Sequence, residues 1–141
     1  MTSYTIIDFD THVTEVADLW TERLPAYIRD AGPRVETDTR GREWWMIGGK
    51  RTVPIGLTAT ARVGDMKDSS KGYSDVHPGA FDADERLKYM DEMGIWAMVL
   101  YPNVGGFGAQ QFLRLGDPEL MLACVTAYND WQTEWASADS R

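Results

Sequence analysis

A single cysteine, Cys124, leaves this 141-residue sequence without an internal disulfide. Stability must come from burial, and a reducing cytoplasm is the expected location. Basic residues are also in short supply: 14 Lys and Arg stand against 22 Asp and Glu, a net charge of -8. A surface of that sign repels phosphate backbones and anionic bilayers, so neither nucleic acid nor membrane is expected as a partner. Long hydrophobic runs are missing too. The longest, residues 95–101, falls far short of the ~20 apolar residues that span a bilayer. The first residues carry neither the basic region nor the apolar stretch of a secretory leader. No Gly-x-Ser-x-Gly elbow and no Gly-Lys-Ser/Thr occur, which removes two common catalytic signatures.

What is present fits one soluble globular domain: 43% apolar and 26% charged residues. Six Trp and six Tyr are many for this length, and several are expected to line a pocket or an interface. Each taken singly reads as ordinary core.

Residues 4–9 read as a β-branched and aromatic strand that runs into Asp10-Thr11-His12. Residues 18–28 are loosely helical and broken by Pro25. Residues 34–54 read as a hairpin, with strand-like 34–37 and 44–47 joined through Thr39-Arg40-Gly41-Arg42. Gly48-Gly49 then turns the chain into Arg51-Thr52-Val53. Residues 56–80 have no period and are expected to form a long loop. Asp82 to Glu85 carries an N-cap signal; Leu87, Met90 and Met93 follow at helical spacing, and Gly94 sits where a helix stops. The unbroken apolar run 95–101 predicts a parallel strand buried on both faces. A glycine-rich loop at 102–108 and a short helix at 109–115 come next. Asp117-Pro118-Glu119 opens a long helix whose Leu120, Cys124, Ala127, Trp131 and Trp135 form one stripe. Two parallel strands joined through a helix make a βαβ unit, so the class is α/β.

Three constellations have chemical content. In a strand, Asp10 and His12 project to the same side, where a carboxylate and an imidazole can chelate one divalent metal. The alternative is a polar strand end with His12 hydrogen-bonded to Asp10 or to backbone. His77, the other histidine, is either a substrate contact or proton shuttle, or it fixes the turn ahead of Pro78. Gly105-Gly106-Phe107-Gly108 fails the dinucleotide fingerprint because Gln111 occupies the third glycine's place. It is read as a turn at the mouth of a site. Cys124 lies on an apolar helix face, where thiols are inert.

The stretch "IIDFDTHVTEVADLWTERLP" resembles the opening of the amidohydrolase-related family, in the branch that includes aminocarboxymuconate semialdehyde decarboxylase. That opening is a short strand ending in an acid-x-His or His-x-His metal motif, then a carboxylate and a Leu-Trp pair, here Glu15 and Leu19-Trp20. "HPGAFDADERLKYMDEMGIWAMVLYPN" is similar to the family's next helix and strand, and "AYNDWQTEWAS" to the following helix.

The resemblance implies a (β/α)8 barrel with one divalent metal, zinc or manganese, performing hydrolysis or nonoxidative decarboxylation of a small carboxylate-bearing substrate. It implies Asp10 and His12 as metal ligands. Trp20, Tyr101 and Asn103 are candidate substrate contacts, and His77 is the candidate catalytic residue. A full barrel takes about 200 residues or more. Residues 1–141 are therefore expected to be one N-terminal part of it: about two βα units with the hairpin inserted after the first strand. "ASADSR" resembles the loop before a third strand. The later metal ligands are missing, so metal binding by this chain alone is expected to be weak or absent, and catalysis with it. Self-association or a complementary chain is the expected partner. The alternatives are a noncatalytic binding protein and a truncated gene product derived from that family.

Overall fold

The computed structural model describes residues 5–56, 71–105 and 110–141. Strand β1 (Ile6–Val13) pairs in parallel with β5 (Ile95–Pro102). Between them lie helix α1 (Leu19–Arg23), the strands β2 (Arg34–Thr37), β3 (Glu43–Ile47) and β4 (Lys50–Pro54), and helix α2 (Ala83–Met93). Helices α3 (Gln110–Leu113) and α4 (Pro118–Ala136) follow β5. The architecture is mixed α/β, with a two-stranded parallel sheet and a three-stranded antiparallel one. Among the described residues no barrel closes.

Local signals explain most boundaries. Asp82 caps α2 by accepting from the Glu85 N–H, and Gly94 ends it in the left-handed region at φ 69°. Asp117 caps α4 by accepting from the N–H groups of Glu119 and Leu120. Asp38 organises the β2–β3 turn: its Oδ1 accepts from Arg40 and Arg42, and its Oδ2 from the Trp44 indole. Adjacent tryptophans of β3 go to opposite faces. Trp45 enters the core, while Trp44 lies under the Arg51 guanidinium, 4.9 Å from its ring centre. The Leu87-Met90-Met93 stripe holds in part: α2 buries Met90 together with Arg86, Leu87 is half-buried and Met93 is exposed. β1 continues past Phe9 through His12, so the acid-and-histidine run lies inside the strand. The glycines at 106 and 108, the first strand's expected start at Tyr4 and most of the expected 56–80 loop lie outside the described residues. Residues 71–80 carry two short 3-10 turns, Tyr73–Asp75 and Pro78–Ala80.

The core gathers at the C-terminal end of the parallel pair. Trp20 of α1 meets Trp45 edge-on at 5.1 Å and Phe112 of α3 at 5.7 Å. Around them pack Val13, Leu24, Ile55 and Val104, with Cys124 and Trp131 of α4. A bidentate Arg23–Glu134 pair fastens α1 to α4 from outside, and Gln132 donates to the Leu100 carbonyl.

The expectation that 95–101 is buried on both faces is corrected. Met98 and Leu100 turn toward α2 and α4, around a cavity of about 40 Å³ that Leu87, Met90 and Trp135 also line. Trp96 is 55% and Val99 38% exposed, and on β1 Phe9 is 66% exposed, with Ile6 and Ile7 also open. A run of seven apolar residues reports affinity for burial, and only the packing decides whether a second layer covers it. Among the described residues none does.

Candidate metal and substrate site

Asp8, Asp10, His12, His77 and Arg86 line one open depression of about 260 Å³. β1 supplies the first three at alternate positions, as its two-residue period requires. The pairing of β1 with β5 is irregular between Asp8 and Thr11. There Asp8 folds back, its Oδ1 accepting from the Asp10 N–H at 3.0 Å. His77 arrives from the turn ahead of α2, and the Thr14 N–H bound to the Ala80 carbonyl holds that turn against the end of β1. The structure thus brings together three residues singled out in the sequence, Asp10, His12 and His77.

The hydrogen bonds assign a tautomer to each imidazole in its neutral form. His12 Nδ1 lies 3.1 Å from the Pro102 carbonyl, which can only accept, so Nδ1 carries hydrogen and the lone pair is on Nε2. His77 shows the converse. Its Nδ1 accepts from the Gly79 N–H at 3.0 Å, which leaves the hydrogen of the neutral ring on Nε2. His77 therefore does fix the turn beside Pro78, and it also faces the depression.

Two other residues shape the site. Arg86 is buried, and its guanidinium ties the site together: Nη2 donates to the His12 carbonyl at 2.9 Å, Nε to the Gly79 carbonyl, and Nη1 to Met98 sulfur at 3.4 Å. Glu15 is fully buried where the two parallel strands end. Its Oε1 accepts from the N–H groups of Asn103 at 3.0 Å and Val104 at 2.9 Å, and its carbonyl accepts from the Tyr73 hydroxyl. Among the described residues its Oε2 has no hydrogen-bond partner. Burial pushes the Glu15 carboxyl up to about 7, against the opposing pull of those backbone donors. Arg86 carried no signal in the sequence, where the apolar stripe of α2 was read as Leu87, Met90 and Met93. Glu15 was marked in the sequence only as the carboxylate of the family-like opening, with nothing to say that it would be buried against backbone amides.

The expected substrate contacts are placed differently from one another. Tyr101 is half-buried with its ring 6.1 Å from that of His12. Asn103 is buried beside Glu15. Trp20 is fully buried in the core, its indole donating to the Cys124 carbonyl at 3.0 Å, and it does not reach the depression. Among the described residues no group of three or more His, Cys, Asp or Glu could hold a metal ion. Asp10 and His12 supply one oxygen and one nitrogen donor of suitable chemistry, part of a coordination set. Among the described residues, no helix is long and apolar enough to cross a membrane.

No family model and no curated protein matches the sequence. The structure is similar to the crystal structure of an amidohydrolase from Mycobacterium avium subsp. paratuberculosis K-10, with a TM-score of 0.66 and 27% identity. The match covers 95% of this chain and 39% of that one, so this chain spans less than half of its relative's length. The likeness is one of distant structural homology to an amidohydrolase-superfamily protein.

Proposed function

We propose that this chain is the N-terminal part of a metal-dependent, amidohydrolase-type enzyme, a hydrolase or nonoxidative decarboxylase of a small carboxylate-bearing substrate. On this reading β1 and β5 are the first two barrel strands and β2–β4 are an insertion between them. The observation that carries the reading is the convergence of Asp10, His12 and His77 on one depression, in a chain homologous to an amidohydrolase. Asp10 Oδ and His12 Nε2 would hold a zinc or manganese ion together with ligands from outside these residues. When bound, such an ion supplies Lewis acidity toward a substrate oxygen or water. The chain's own part is more specific. His12 is oriented through its Nδ1–H, Arg86 pins the His12 carbonyl, and His77 presents an Nε2–H that can donate to a substrate oxygen. With two ligands, this chain alone binds metal weakly and turns over little substrate.

Manganese is the probe for a weak site, because its paramagnetism broadens nearby resonances at low occupancy. Titrated into isotope-labelled protein, it should broaden amides around residues 10–12 and 77–80. The double variant Asp10→Ala, His12→Ala should lose that pattern. Broadening confined to the acidic segment at 82–85, or unchanged in the double variant, removes Asp10 and His12 as ligands.

A second reading rests on a separate observation, the uncovered apolar residues of the parallel pair. Parallel strands are stable when both faces and edges are covered. We propose that self-association or a complementary chain covers this sheet, whether the assembly is catalytic or only a binding module.

A further inference from the structure

Resting on the reading of His12 as a ligand, we propose that Glu15 is its positioning residue, acting through the Pro102–Asn103 peptide group. The two hydrogen bonds concerned share one peptide unit. Its N–H donates to Glu15 Oε1 at 3.0 Å, and its C=O accepts from His12 Nδ1 at 3.1 Å. The peptide is trans, so the two bonds leave it on opposite sides and form one line: carboxylate, amide, imidazole. A carboxylate that accepts from an amide N–H polarises the amide and makes its oxygen a better acceptor. That oxygen then holds the hydrogen of His12 on Nδ1 and keeps the lone pair of the neutral ring on Nε2. Ligand histidines ordinarily get this service from a carboxylate or carbonyl in direct contact. Here a buried carboxylate delivers it across a peptide.

The second N–H bond, from Val104 at 2.9 Å, fixes the rotation of that peptide. The Tyr73 hydroxyl on the Glu15 carbonyl fixes the backbone from the other side. Glu15 also has no cationic partner among the described ion pairs, so its ionised form directs its charge at these amides. A residue serving only to fill the core would need neither the charge nor this alignment, and a leucine would fill the volume.

The test reads the His12 tautomer directly, through the imidazole nitrogen resonances at about pH 8.5, above the value of about 7 to which burial raises Glu15, so that its carboxylate is charged. With two histidines in the chain, a His77→Gln variant assigns them. The expected result is a dominant Nδ1–H form in the native protein. In Glu15→Gln, which keeps an oxygen acceptor without the charge, the Nδ1 proton should move upfield while the tautomer persists. In Glu15→Leu the Nδ1–H population should fall by more than about twofold, and manganese affinity by about tenfold. A native Nε2–H tautomer, or resonances that stay unmoved in Glu15→Gln, overturns the proposal. Should Glu15→Leu fail to fold, Glu15→Gln decides alone. A tautomer change without any manganese broadening in the native protein would refute the metal reading and leave the positioning role standing.

Discussion

Glu15 illustrates how much one side chain in this protein depends on distant partners. Its carboxyl is held by amides 88 and 89 residues further along the chain. Its upward shift to about 7 from the ordinary 4.5 has a thermodynamic consequence. Between those values the folded state keeps a proton that the unfolded state has lost, so stability falls as pH rises through this window and levels above it. The full shift corresponds to roughly 3 kcal/mol. Denaturant unfolding at about pH 5 and about pH 8 should show the native protein losing more stability than Glu15→Gln by roughly that amount. Equal losses in the two proteins would mean that Glu15 ionises normally in the fold. The comparison between variants cancels the other carboxylates, which titrate in both. Trp20 teaches the same lesson for an apolar side chain: its indole is spoken for by the Cys124 carbonyl 104 residues away, which makes it core and not a substrate contact.

At the scale of elements, local chemistry and tertiary packing divide the work differently from one segment to the next. Helix α4 is written locally. Asp117 caps it, Pro118 takes the first helical position, and a stripe from Leu120 to Trp131 is buried. Asp117→Ala leaves two N–H groups without their acceptor and should destabilise the protein by about 1 kcal/mol. A urea midpoint shift at constant slope is the expected sign, and an unchanged midpoint would show that water or a neighbour replaces the cap. The turns of the β2–β4 sheet are equally local: Gly41 and Gly48-Gly49 mark them in the sequence, and the structure adds Asp38, which accepts from the nearby Arg40 and Arg42 amides. Strand β5 is the contrasting case. Its seven apolar residues signal burial on both faces, but the structure covers Met98 and Leu100 and leaves Trp96 and Val99 open. Composition records what a strand tolerates, and neighbours from elsewhere in the fold determine what it meets.

For the molecule as a whole, the imbalance is between a well-filled core at one end of the parallel pair and open apolar strands at the other. Ile6, Ile7, Phe9, Trp96 and Val99 are all more than a third exposed, on a sheet that among the described residues has two strands and two open edges. Such a sheet invites further pairing. The charge of -8 opposes association of identical copies, and salt screens that repulsion. Light scattering at micromolar concentration should therefore show self-association that grows with ionic strength. The substitutions Phe9→Asp and Trp96→Asp should suppress it while thermal unfolding stays cooperative. A salt-independent monomer that unfolds sharply would show that the open sheet is stable as it stands.

The sequence by itself determined what operates over a few residues: caps, glycine turns, the helical stripe of α4, the strand that carries Asp10 and His12 on one side. These follow from backbone sterics and short-range hydrogen bonds, which nearby residues control. It also placed His77 in a turn, without saying what the ring would face. Tertiary structure alone decided the rest. It brought His77 and His12 to one depression, tied Arg86 to the His12 and Gly79 carbonyls, withdrew Trp20 into the core, and set Glu15 on the Pro102–Asn103 peptide. Each of these rests on contacts between residues far apart in the chain, where the partner is chosen by how layers pack and not by any local period.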